Sequence, residues 1–478
     1  MLQYNISPRK LLLALSEAFI LFIGFSIGAS IHVAPPGLEI DAFVAARGAA
    51  AAAAVVCIVI LGFQDLYEWR ISMNSRERNQ RLVAAFGLSF VILAALFFYA
   101  QEAHPLIAFG VLGEDVRMRM WRFFLTVFLT FTVLAGWRTL FHSLVSRWQL
   151  AERVLVVGTG ELAMSLAREI ADHRDAGFEI AGMVPGPNEK PRRARRRDPH
   201  VEVVSRPMDE LYDVARERGV RRVVVALQDR RSALPVEALL RCRLAGLTIE
   251  EREVMYERVT GKIAVEAIRP SYLIFGDGFH KTPLTMALKR VLDILASATG
   301  LILSLPITIP TAILIKLDSP GPLFYRQPRV GKDGRHFEVL KFRSMRADAE
   351  KNTGPVWARA GDDRVTRVGR FIRKTRIDEI PQMWCVLRGE MSFVGPRPER
   401  PFFVDELARE IPFFLERQTV KPGITGWAQI NYPYGSSKAD AIQKLQYDLF
   451  YIKNMSVFFD LLVIFRTIKV VVLRKGAV

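Results

Sequence analysis

The sequence predicts a multidomain membrane protein in three parts: a four-helix transmembrane bundle, a central α/β part on a parallel sheet, and a mainly α C-terminal part with a re-entrant membrane helix. Three observations predict it. Half of the 478 residues are apolar while 24% are charged, and a mean hydropathy of +0.17 beside so many charges requires the two classes to be segregated along the chain. Four long apolar stretches crowd the first 150 residues, and after them short β-branched runs alternate with helical periods. The length fits about three domains. Such an apolar chain is not disordered by composition, and three cysteines, Cys57, Cys242 and Cys385, exclude a disulfide framework and have no metal-site spacing. The net charge of +17 requires a large basic part exposed to water.

The bundle rests on Leu11 to Ile31, Phe43 to Phe63, Leu82 to Ala100 and Phe123 to about Leu140. Each approaches the roughly 20 residues that a helix needs to cross a bilayer core, and none ends in a small-residue cleavage site, so no removable signal peptide is expected. Arg9 and Lys10 precede the first helix and Arg70, Arg76, Arg78 and Arg81 fill the second loop, whereas the first loop has only Arg47. The positive-inside rule therefore places both ends of the bundle in the cytoplasm, with Arg117, Arg119 and Arg122 in the third loop running against the trend.

From Glu152 the pattern is α/β. Arg153 to Val157, Ile180 to Val184, Arg222 to Leu227 and Leu247 to Glu250 read as strands, with helices over Glu161 to Ile170 and Pro235 to Leu244. Gly158-Thr-Gly160-Glu-Leu-Ala163 follows the first strand and opens a helix, the setting of a phosphate-cradling turn in a Rossmann-like domain. The second strand ends in Pro185 without the acid that a dinucleotide ribose wants, which favours a role in packing, oligomerisation or regulation. The basic run Lys190 to Arg197 reads as a solvated loop or as a segment drawn to anionic lipid. No aromatic residues interleave it, which argues against nucleic acid.

Ile294 to Ile315 is a fifth apolar stretch, but Pro306 and Pro310 interrupt it. An internal proline removes a backbone hydrogen bond and bends the helix. Both flanks are basic, with Lys281, Lys289 and Arg290 before it and Lys316, Arg326, Arg329 and Lys332 after it, so the sequence predicts a helix that breaks at Pro306 and returns to the cytoplasm. The domain borders follow: 1–150 for the bundle, 151–270 for the Rossmann-like domain, and 281–478 for the last domain with its re-entrant helix over 289–317. Asp460, Arg466 and Lys469 interrupt the apolar run from Val457 to Leu473, and Phe402 to Phe414 is similarly amphipathic; both suit helices resting in the membrane interface.

The chemistry-bearing residues cluster in this last domain. Asp378 and Glu379 are adjacent acids, and Pro381 fits the first turn of a helix whose N-terminus would keep Asp378 ionised. Lys341, Arg343, Arg373, Arg397 and Arg400 offer cations suited to several phosphate oxygens. Two carboxylates facing a diphosphate call for a divalent metal, with Asp378 and Glu379 as ligands of Mg²⁺.

The segments Ser319-Pro-Gly-Pro322, Gln327-Pro-Arg-Val-Gly331, Lys341-Phe-Arg-Ser-Met345, Ile377-Asp-Glu-Ile-Pro-Gln382, Val394-Gly-Pro-Arg-Pro398 and Lys421-Pro-Gly-Ile-Thr-Gly-Trp-Ala-Gln429 together resemble the bacterial sugar transferases, monotopic phosphoglycosyl transferases that use polyprenyl phosphate. The three-part arrangement is similar to the large members, the undecaprenyl-phosphate hexose-1-phosphate transferases. The resemblance implies transfer of hexose-1-phosphate from a UDP-hexose, UDP-glucose or UDP-galactose, to undecaprenyl phosphate, with release of UMP, as the first membrane step of exopolysaccharide or O-antigen synthesis. It implies that Asp378 forms a phosphosugar-aspartyl intermediate, that Glu379 holds Mg²⁺ or handles a proton, that Arg373 and Arg397 neutralise phosphate charge, and that Pro306 is the helix-breaking proline. It also implies a multi-pass protein of the bacterial inner membrane with its later domains on the cytoplasmic side, touching membrane lipids; a homodimer through the central domain is a further expectation. Two positions depart from the family pattern: Leu305, with Ser304 one place earlier, where Ser often precedes the proline, and Cys385 where Asn is common. The alternatives are a membrane-bound NAD-dependent enzyme acting on nucleotide sugars through the Gly158 turn, and a non-catalytic scaffold.

Overall fold

The computed structural model describes residues 8–30, 39–68, 75–103, 116–147, 151–173, 176–187, 189, 201–228, 234–265, 272–273, 276–346, 364–432, 435 and 437–472. The Lys190 to Arg197 run lies outside them. The chain forms two compact units, residues 1–252 and 253–478.

In the first unit, helices α1 (Pro8–Ser30), α2 (Glu39–Phe63), α3 (Ser75–Ala103) and α4 (Val116–Arg147) begin before each of the four predicted stretches and cover them, except for Ile31 at the end of the first, which lies outside the described residues. All four are long and apolar enough to cross a membrane. Their shared core includes Leu21, Phe25, Leu61, Leu93, Phe123 and Leu134. Gly24 and Gly28 leave room for the neighbouring helix, since a Cβ on either would stand 2.5 Å or less from Thr130 or Thr126. Small residues spaced four apart are a recurring means of bringing membrane helices into contact. Near one end of the bundle Arg138 and Glu17, both fully buried, form an ion pair with Nη2 to Oε2 at 2.8 Å, and Arg138 also donates to the Leu66 carbonyl at 3.0 Å.

The same unit contains a four-stranded parallel sheet in the order β2-β1-β3-β4, from β1 (Glu152–Val157), β2 (Phe178–Val184), β3 (Arg222–Val225) and β4 (Thr248–Glu251). Val154 to Val157 have no exposed surface, as an inner strand with covered faces demands. Helices α5 (Glu161–Asp172), α6 (Leu211–Glu217) and α7 (Val236–Leu244) connect the strands. The alternation read from the sequence is thus present, with ends shifted by one or two residues.

The second unit opens with α8 (Arg252–Thr260) and is dominated by α9 (Pro283–Asp318), 36 residues or about 54 Å. Pro306 and Pro310 both lie inside this helix. Leu288, Leu295, Leu303, Ile309 and Leu317 form an exposed apolar face along it, while Lys289, Asp293, Ser297, Thr311 and Ile315 are buried on the other side. So long an exposed apolar face suits lipid, since water would meet it along most of the helix. Asp318 ends the helix and accepts from the backbone of Val368, tying it to α10 (Arg367–Lys374). Gly369 allows the approach of α10 to the Ser344 carbonyl, which a Cβ would meet at 1.9 Å.

The rest of this unit is an antiparallel hairpin of β5 (Phe324–Val330) and β6 (His336–Phe342), a small parallel pair of β7 (Ser392–Val394) and β8 (Gly423–Thr425), and helices α11 (Gln382–Arg388), α12 (Pro401–Glu410), α13 (Trp427–Asn431), α14 (Lys438–Asn454) and α15 (Val457–Val472). The charges interrupting α15 have protein partners. Asp460 is buried and meets Lys289 Nζ at 2.6 Å, and Arg466 stands over the Trp427 ring at 5.2 Å. Cys385 is also buried, among Val339, Val386 and Met391, so it serves here as a small apolar side chain.

Candidate active site

The two acids sit on a tight 3₁₀ turn, Ile377–Glu379, between α10 and α11. Arg376 enters the turn with φ of 60°, a left-handed conformation uncommon for a residue with a Cβ. Beneath it Ile315, Phe342 and Ile372 form a small core that Ile377 joins, so the turn is seated on the end of α9 and on the hairpin. Strand β6 brings Lys341 to the acids from the other side.

Glu379 is the centre of a cationic arc. Its Oε1 accepts from Lys341 Nζ at 3.0 Å and from Arg397 Nη2 at 2.8 Å, while Oε2 faces Arg376 Nη1 at 3.6 Å. Burial works to raise the Glu379 carboxyl, but the Lys341, Arg397 and Arg376 charges outweigh it and hold the group well below the usual carboxylate range. Asp378 behaves oppositely. Burial, reinforced by the Glu379 charge, pushes it up to about 6 against the pull of Lys341, Arg376 and Arg373. Among the described residues its Oδ1 is buried and has no hydrogen-bond partner. Helix α11 begins at Gln382 with Pro381 as its N-cap, so the acids lie just ahead of its N-terminus, and burial beside Glu379 raises Asp378 there. Neighbouring acids whose environments push them apart are suited to different tasks.

Arg373, Arg397 and Lys341 therefore belong to one constellation with Asp378 and Glu379. Arg343 points elsewhere. Buried, it donates to the carbonyls of Ile315, Ser319 and Pro320 at 3.2, 2.6 and 2.9 Å, which closes the C-terminal end of α9. Arg400 is the first residue of the turn into α12. Pro306 lies within α9, far along the chain from the acids. Among the described residues no group of three or more His, Cys, Asp or Glu gathers to hold a metal.

Three contributions escaped the sequence reading. Arg376 looks like one of many arginines until its left-handed backbone aims it at Glu379. Arg417 and Asp448 form a buried pair behind Arg397. The signal for the latter was an acid amid Leu445, Leu449, Phe450 and Ile452 on α14. The Gly158 turn has a partner of its own: Glu189, five residues beyond β2, accepts from the Thr159 backbone at 2.6 Å. A carboxylate from the chain thus takes the donor that a phosphate would use.

Residues 284–474 match the family described as bacterial sugar transferase. The chain is 33% identical over 380 residues to undecaprenyl-phosphate glucose phosphotransferase of Komagataeibacter xylinus, covering 76% of this chain and 67% of that protein. It is 43% identical over 239 residues to UDP-N-acetylgalactosamine-undecaprenyl-phosphate N-acetylgalactosaminephosphotransferase of Aeromonas hydrophila, covering 50% and 56%. With UDP-glucose:undecaprenyl-phosphate glucose-1-phosphate transferase of Escherichia coli it shares 42% over 196 residues, 40% of this chain and 42% of the relative. The last two matches thus span about half of each relative's length. The matched stretch contains the acid pair and its cations, and by this likeness the chain belongs to the bacterial sugar transferase family.

Proposed function

We propose that the protein transfers hexose-1-phosphate from a UDP-hexose to undecaprenyl phosphate, releasing UMP, in an early step of polysaccharide synthesis at the cytoplasmic face of the bacterial inner membrane. The observation that carries this reading is the division of labour between Asp378, pushed up to about 6, and Glu379, held ionised by Lys341, Arg397 and Arg376. The relatives' names support the substrate class.

In the proposed first step a carboxylate oxygen of Asp378 attacks the sugar-bearing β-phosphorus. The bond from that phosphorus to the bridging oxygen breaks, and UMP leaves with the electron pair. In the second step an oxygen of undecaprenyl phosphate attacks the same phosphorus, the aspartyl P–O bond breaks, and the Asp378 carboxylate is restored. A carboxyl with a value near 6 is ionised at neutral pH yet more basic, hence more nucleophilic, than an ordinary aspartate. Glu379 is a poor proton carrier because it is held so low. Its part is to fix Lys341 and Arg397, whose remaining donors are suited to the phosphate charge that develops in the transition state. Mg²⁺, when bound, would neutralise diphosphate charge, and Asp378, with its unpartnered buried Oδ1, and Glu379 would hold it.

The exposed apolar surface of α9 is proposed to bend at Pro306, enter the inner leaflet and return, which would keep the acids where a soluble donor and a lipid acceptor can both arrive. The sheet of the first unit is proposed as a Rossmann-like module for packing or self-association, because Glu189 already occupies its turn. The test is UMP release from a panel of UDP-glucose, UDP-galactose and UDP-N-acetylgalactosamine with undecaprenyl phosphate and Mg²⁺. Release with one donor, abolished in Asp378→Asn, supports the reading; silence with all three, or an active variant, removes it.

A further inference from the structure

The loop from Gly395 to Arg400, which follows β7, carries Arg397 to the acids, yet it has no regular structure and its two internal prolines, Pro396 and Pro398, have no N–H to anchor it. Apart from the Gly395 N–H, which donates to the Thr425 carbonyl at 2.9 Å, it is held by its carbonyls. Val394, at the end of β7, accepts from Lys289 and Tyr451, Pro396 from the Gly423 backbone, Arg397 from Arg417 Nη2 at 2.9 Å, Pro398 from Arg329 Nη1 at 2.9 Å, and Glu399 from the Val330 backbone. Arg417 is itself fixed. The same Nη2 meets Asp448 Oδ2 at 2.9 Å, its guanidinium lies over the Phe414 ring at 5.2 Å, and Nη1 faces Glu399 at 4.0 Å. Asp448 is 1% exposed and Arg417 8%.

A buried ion pair gains little stability over an apolar pair of the same size, because desolvation offsets the attraction. What such a pair can supply is a unique geometry. Here the geometry concerns the main chain of the residue whose side chain reaches Glu379. We propose that Arg417, oriented by Asp448, is a positioning residue that acts through Arg397: by fixing the Arg397 carbonyl it sets the side chain of Arg397 on Glu379 and on the phosphate. This rests on the transferase reading for its effect on rate and on the loop geometry alone for its effect on order. Removing the tie leaves the backbone free to shift by the ångström or so that separates productive from unproductive alignment.

The test compares Arg417→Ala, Arg417→Lys, Arg397→Ala and the double variant Arg417→Ala/Arg397→Ala in the full-length protein. Arg417→Lys retains a charge opposite Asp448 but lacks the planar guanidinium that the Phe414 ring and Glu399 orient toward the carbonyl, so it separates positioning from folding. Both single Arg417 variants are expected to lower kcat by about 10- to 100-fold with melting near that of the parent for the lysine variant. Adding Arg417→Ala to Arg397→Ala is expected to bring little further loss, since the two act on one contact. Hydrogen exchange at the Gly423 and Val330 amides, which bond the Pro396 and Glu399 carbonyls of this loop, is expected to quicken in both Arg417 variants. Losses that multiply, or exchange that stays at the parental rate, would overturn the proposal. Should the parent release no UMP from any sugar donor, the transferase reading falls and the exchange comparison alone decides the anchoring.

Discussion

Asp378 and Glu379 are consecutive residues of one turn, yet their surroundings move them in opposite directions. Glu379 faces Lys341, Arg376 and Arg397 and stays far below the ordinary carboxylate range, whereas burial and the Glu379 charge lift Asp378 to about 6. The division needs no large structural device. One left-handed residue, Arg376, and one strand residue, Lys341, put the cations nearer the second acid than the first.

A pH dependence of rate follows. The nucleophile must be ionised, so activity should fall as pH drops through about 6, the value of Asp378. A profile of UMP release from pH 5 to 8 with a saturating donor checks this; an acid limb near pH 4, the value of an unperturbed aspartate, would contradict it.

Stability should show the same residue with the opposite sign. Because the folded-state value of Asp378 lies above its unfolded value, the native state binds more protons between about pH 4 and 6, and Asp378 destabilises the fold above that window. Asp378→Asn should therefore stabilise the protein at pH 7.5 by roughly 2 kcal/mol, and the advantage should vanish below about pH 4. Glu379 behaves oppositely. Held low, it contributes stability that is present above the unfolded value and lost as pH falls, and Glu379→Gln should cost about 3 kcal/mol at neutral pH by leaving its buried cations uncompensated. Denaturant melts of both variants at two pH values decide the signs.

Arg343 separates folding from binding. Its guanidinium closes the end of α9, so Arg343→Ala should lower stability by about 2–3 kcal/mol. The KM for the sugar donor should stay within about twofold, a change of less than 0.5 kcal/mol. A large rise in KM without loss of stability would return Arg343 to the substrate.

In the bundle, Glu17→Ala leaves Arg138 buried and unpaired and should cost about 3–5 kcal/mol. Glu17→Met combined with Arg138→Leu should recover most of that loss. Yield and thermal inactivation in detergent measure both; a double variant no better than the single would contradict the pairing.

Local patterns made much of this legible. The four apolar stretches, the alternation after Glu152 and the acid pair before Pro381 each rest on residues near in sequence, where periodicity and turn chemistry act. Which arginine serves substrate and which serves the fold does not. Lys341 and Arg343 lie two apart on adjoining positions of the hairpin, but one faces Glu379, 38 residues away, and the other the carbonyls near Ser319, 24 residues away. Asp460 looked like a charge for the membrane interface until folding set it against Lys289, 171 residues earlier. Glu189 was likewise overlooked at the glycine turn because it reaches back 30 residues to Thr159. Contacts of this length depend on the tertiary fold, and no local pattern reports them.

The central claim is a covalent bond from Asp378 to the sugar-bearing phosphorus, and withholding the lipid acceptor tests it most directly. Purified protein given a UDP-hexose and Mg²⁺ should gain the mass of one hexose-phosphate, mapped by peptide mass spectrometry to Asp378, and should lose it when undecaprenyl phosphate is added. UMP release that requires both substrates together, with the Asp378 peptide unmodified throughout, would contradict the account.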